Sequence, residues 1–202
     1  MSTELHANAE PAIARPPFWM RMSVTTGNVV QLVGLLIGAG LIYWAAHALL
    51  PAVVLVVLML FAWIVVYICC HSLGHYLVGR MVGIRFKGYG LRGTDHPENQ
   101  LPGLRQLMAV TPFFTVMTEK DSMAKATPLA KALMFAAGET ATTVCSLAVA
   151  LYAVRHALPG AGVLLVFTII WVVLATISTA SFPKGDYAKA IRALRTPAAN
   201  KV

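Results

Sequence analysis

His71 and His75 bracket Ser-Leu-Gly in the stretch IVVYICCHSLGHYLVGR. On a helix, residues four apart sit one turn apart on one face. Two imidazoles so placed can bind one metal ion. The bland alternative is a pair of histidines that only pack and hydrogen-bond. Their apolar surroundings weigh against it, because ionisable groups inside such a run are costly and usually functional. Zinc requires a third protein ligand. Asp186, in Ser181-Phe-Pro-Lys-Gly-Asp186, is the leading candidate; its alternative role is to cap the helix-like YAKAIRALR that follows. Glu139 is the single acid of its own apolar run. It is expected to face the histidines as a ligand or base, or else to be a hydrogen-bonded structural glutamate.

These residues depend on long apolar elements for their placement. The chain has 202 residues, 58% of them hydrophobic and only 12% charged. A soluble fold of this size could not hide so much apolar surface. The apolar residues fall into runs long enough to cross about 30 Å of hydrocarbon. An all-α polytopic membrane protein is expected, with about four transmembrane helices over 29–50, 52–80, 128–154 and 162–180. Residues 83–93, rich in glycine and alternating in polarity, suit short strands or a hairpin. Residues 107–117 are apolar but too short to span, so a re-entrant or interfacial segment is expected there. Residues 1–28 are read as a cytoplasmic tail with an interfacial anchor at Phe18–Arg21 rather than a cleaved leader. Residues 29–195 form the membrane domain, and 196–202 a C-terminal tail.

The net charge of +8 flanks the apolar runs. It therefore reports orientation rather than nucleic-acid binding. Lys and Arg number two before the first run, eight over 80–131 and five after the last, against none and one in the two other turns. Both termini are thus expected on the cytoplasmic side, most simply of a bacterial inner membrane. His71 would lie roughly 13 Å, His75 roughly 8 Å and Glu139 roughly 12 Å from that end. Asp186 follows the last helix on the same side. Cys69, Cys70 and Cys145 sit inside apolar runs and read as buried free thiols. Gly34 and Gly38 offer a smooth stripe for helix packing within the chain. His47 and His156 fall near outer helix ends, and His96 in a loop.

HSLGHYLVGRMVGIRFKGYGL resembles the His-Glu-x-x-His helix and following hairpin of the site-2 proteases, which are intramembrane zinc metalloproteases. Pro128–Gly138 resembles the approach to that family's Ala-Gly-Pro-x-x-Asn helix. Phe182-Pro-Lys-Gly-Asp186 resembles its Pro-x-x-Asp-Gly motif. The resemblance covers roughly residues 50–195 and implies His71, His75 and Asp186 as zinc ligands. The departures bear on activity. Ser72 stands where the family has its general-base glutamate, Glu139 and Thr142 stand for the proline and asparagine, and Tyr187 stands for the glycine. Serine cannot take a proton near neutral pH, and losing a general base costs about 10²–10⁴-fold in rate. The expectation is a zinc-binding but proteolytically weak or inactive scaffold or complex subunit that holds a transmembrane helix. The alternative is an active protease with Glu139 as a displaced base. Two histidines and one aspartate are too few for a membrane di-iron site.

Overall fold

A computed structural model describes residues 17–93, 106 and 109–195. A short strand β1 (Met20–Met22) leads into helix α1 (Val24–His47) and then α2 (Ala52–Met81). Strands β2 (Phe86–Arg92) and β3 (Phe113–Thr118) and the one-turn helix α3 (Lys120–Lys125) follow. The chain closes with α4 (Pro128–Arg155), α5 (Ala161–Ser181) and α6 (Asp186–Arg195). Four of the helices, α1, α2, α4 and α5, are long and apolar enough to cross a membrane. Together with the apolar side chains on their outer surfaces, they make this an all-α polytopic membrane protein with one small sheet.

Local chemistry sets the helix ends. Ser23 accepts from the Thr26 amide at 3.1 Å, so α1 starts five residues before the apolar run and absorbs the polar Thr25, Thr26 and Asn28. Pro51 stands just before α2 and Pro128 at the first position of α4, where a missing N–H costs nothing. Thr127 caps α4 by accepting from the Ala130 amide at 3.1 Å. Gly160, with φ of 76°, turns the chain into α5 in a conformation most residues avoid.

The short turns at 48–51 and 156–160 make the spans alternate in direction, so the sheet, α3 and α6 gather at the other end of the bundle. The most extensive helix pairing is α2 with α4, followed by α1 with α2 and α4 with α6. Gly74 on α2 lies against the Ala137 carbonyl and Ala141 side chain of α4, leaving no room for a Cβ. Gly34 and Gly38 face Cys69 and Val66 of α2, the intrachain packing expected of their spacing. One apolar cluster, with Met59, Ala62, Trp63, Val66, Val149 and Ala150, fills the turn end of the bundle. A second, around Ile84, Phe86 and Met134, sits under the sheet. On α2 the histidines fall between the two clusters, and so do Glu139, Thr142 and Ser146 on α4.

The region of 83–93 is a strand, as its alternation suggests. Two neighbouring stretches join it in a sheet. Residues 113–118, which overlap the segment 107–117 expected to be re-entrant or interfacial, form β3, paired antiparallel with β2 from Phe113↔Arg92 to Thr118↔Phe86. Met20–Met22, which overlaps the expected interfacial anchor at Phe18–Arg21, is the other neighbour of β2, with Trp19 donating its amide to the Leu91 carbonyl at 2.9 Å. Both strands find their partners far along the chain, which a local pattern does not reveal. The boundary at residue 28 accordingly falls inside α1. His96 and residues 196–202 lie outside the described residues.

Candidate metal centre

Three elements meet between the two apolar clusters. Helix α2 brings His71 and His75 on one face, α6 brings Asp186 as its first residue, and α4 closes the back. His71 Nε2 and His75 Nε2 are 3.2 Å apart. Asp186 Oδ2 lies 3.1 Å from His75 Nε2 and 3.3 Å from His71 Nε2. A tetrahedral site with bonds of about 2.0–2.2 Å has ligand–ligand edges of about 3.3–3.6 Å. The triangle is a few tenths of an ångström tighter than that, so these donors fit zinc with little movement.

The hydrogen bonds behind the rings strengthen the case. His75 Nδ1 lies 2.7 Å from the Met134 carbonyl, which can only accept. Nδ1 therefore carries the proton. Thr142 Oγ1 donates to the Gly138 carbonyl at 3.0 Å, so towards His71 Nδ1, 3.1 Å away, it accepts. His71 is thus also protonated at Nδ1. In neutral rings both Nε2 atoms then present lone pairs, and they do so to each other and to a carboxylate oxygen. Three acceptors this close repel unless a cation or added protons lie among them. Outer partners that fix the tautomer in this way are a general feature of metal-ligating histidines.

Asp186 is fixed from its other side. Lys189, one turn on, donates to Oδ1 at 2.9 Å, leaving Oδ2 for the histidines. Burial pushes the Asp186 carboxyl up, but protons on the Nε2 atoms of His71 and His75, together with the Lys189 charge, outweigh it and hold the group well below the usual carboxylate range. Gly138 lies flat against the His75 ring, where a Cβ would overlap it. Tyr187 and Thr140 bridge α6 to α4 through their hydroxyls at 3.2 Å.

The remaining sequence candidates sit around this triangle rather than in it. Glu139 is buried, and its Oε2 lies 3.7 Å from His71 Nδ1, behind the ring and beyond a hydrogen bond. Ser72 is buried and donates its hydroxyl to the Phe114 carbonyl of β3. Its proton ties α2 to the sheet and does not face the three ligand atoms. Cys69, Cys70 and Cys145 are free, the first two buried. Sequence reasoning missed the Met134 carbonyl, Gly138 and Lys189 as parts of the site, and singled out Thr142 only as the residue in place of the family's asparagine. Only Thr142 left a usable signal, a polar residue within one turn of Glu139 in an apolar helix.

Fold and cluster together define a class: a polytopic membrane protein whose bundle holds a His–His–Asp cluster of metal-ligand spacing between two apolar cores. Comparison with family models, curated proteins and solved structures finds no match to this chain.

Proposed function

We propose that this protein is a divergent site-2 protease-like membrane protein in which His71, His75 and Asp186 hold zinc. It acts as a scaffold or complex subunit that binds a transmembrane helix, with little or no peptide hydrolysis. The observation that carries the reading is the triangle of three converging acceptors backed by two tautomer-fixing hydrogen bonds. Bound zinc would supply Lewis acidity at the cluster. The chain's own residues do the rest. Met134 and Thr142 hold the rings, Lys189 holds the carboxylate, and Ser72, engaged with Phe114, removes no proton. The charge distribution supports a bacterial inner-membrane setting with both termini cytoplasmic.

A second reading rests on Glu139, which is buried 3.7 Å from His71 Nδ1. If that carboxylate swings past the ring it becomes a displaced base, and the protein is an active intramembrane metalloprotease. Metal analysis of the purified protein tests the first reading. Stoichiometric zinc in wild type and its loss in His71→Ala are expected, and wild type without metal sinks the proposal. Cleavage of membrane-helix substrates in proteoliposomes separates the two readings. Background cleavage by both wild type and Glu139→Gln supports the scaffold. Cleavage by wild type that Glu139→Gln abolishes supports the protease.

A further inference from the structure

Away from the metal centre, helices α1 and α4 diverge and leave a cleft open on the bundle surface, floored by Val66 of α2. Its volume is about 430 Å³. Leu35, Ala39 and Tyr43 form the α1 wall at successive turns, and Cys145, Ala148, Val149 and Tyr152 form the α4 wall. Each wall continues to a histidine one turn on. His47 is the last residue of α1, and His156 directly follows Arg155, the last of α4.

The four rings at this end form one group. Tyr43 and His47 have centroids 4.3 Å apart, Tyr152 and His156 4.4 Å, and the two histidines 5.5 Å. His47 is anchored by Nδ1, which lies 2.8 Å from the Tyr43 carbonyl. Arg155, which precedes His156 in the chain, is exposed. The cleft thus runs from purely apolar, deep in the span, to aromatic and then cationic at the helix ends, where a bilayer has its headgroups.

We propose that this cleft binds one phospholipid, its acyl chain between α1 and α4 and its phosphate at Arg155 and His156. An apolar cleft alone would not select an occupant in a membrane, where lipid is as apolar as the wall. The cationic end selects. Phosphate matches the Arg155 guanidinium, and the bond between head and chain matches the order of residues along both walls. Anionic lipids bind better than zwitterionic ones for the same reason.

The test uses full-length protein in nanodiscs with photoreactive-acyl phosphatidylglycerol, and in parallel with the phosphatidylcholine analogue. Adducts are mapped by mass spectrometry. Residues 145–152 are expected to be labelled about tenfold more than the outward face of α5 around Val163, a preference of about 1.4 kcal/mol. Ala148→Trp, or Ala39→Trp from the opposite wall, fills the cleft and brings labelling to the Val163 level, while metal content stays at that of wild type. Arg155→Gln with His156→Ala removes the preference for the anionic probe. Equal labelling of the cleft and α5, or labelling that survives both Trp variants, overturns the proposal. So does a polypeptide crosslinked in the cleft in native membranes in place of lipid.

Discussion

At the residue scale, the site depends on groups that touch no ligand position. Thr142 fixes the His71 ring by accepting from Nδ1 while donating to Gly138. Loss of such an outer partner typically costs tenfold to a hundredfold in metal affinity. Thr142→Val is therefore expected to weaken zinc binding by about 10–100-fold in chelator competition, and Thr142→Ser to restore most of it. Gly138→Ala places a methyl where the His75 ring lies. Overpacking costs about 1–3 kcal/mol, and here it also displaces a ligand. A lower melting temperature together with lost metal is expected. Loss of metal in Gly138→Ala without any change in melting would show that the glycine serves the ring alone and not the helix contact.

At the element scale, α2 joins everything. It packs on α4 through Gly74, on α1 through Cys69 and Val66, and on β3 through Ser72. The ring group of Trp63, Tyr67, Phe167 and Trp171 fastens it to α5. Removing the Ser72 hydroxyl leaves the Phe114 carbonyl short of a partner and costs about 1 kcal/mol. Ser72→Ala is expected to keep its metal yet show faster hydrogen exchange at the β3 amides. Unchanged exchange would mean that β2 pairing alone secures that strand. Helix α6 has a different task. It is short and only partly buried, and its position is set by contact with α4, which carries Asp186 back to the histidines.

At the scale of the whole molecule, four alternating spans place the sheet and α6 at one end and the two tight turns at the other. If positive charge is retained inside, as the proposed orientation requires, Lys125 is expected to face the cytoplasm and Pro159 the opposite side. An impermeant maleimide is expected to label Pro159→Cys in intact cells and Lys125→Cys only after permeabilisation; the native cysteines lie within the spans. The reverse pattern would overturn the orientation. The spans were legible in the sequence because each is one uninterrupted apolar run, and lipid imposes that length on any chain. The pairing of His71 with His75 was legible for a similar reason, since helix geometry alone puts them on one face. That Asp186 joins them was suggested only by side of membrane and by motif order. The contact itself belongs to the packing of α6 on α4. The partners of β2 in the sheet, the turning of Ser72 to Phe114, the place of Glu139 behind His71 rather than in the triangle, and the roles of Met134 and Gly138 were decided only by tertiary structure. Strand partners and outer-shell contacts depend on distances between segments far apart in the chain, and local periodicity carries no record of those distances.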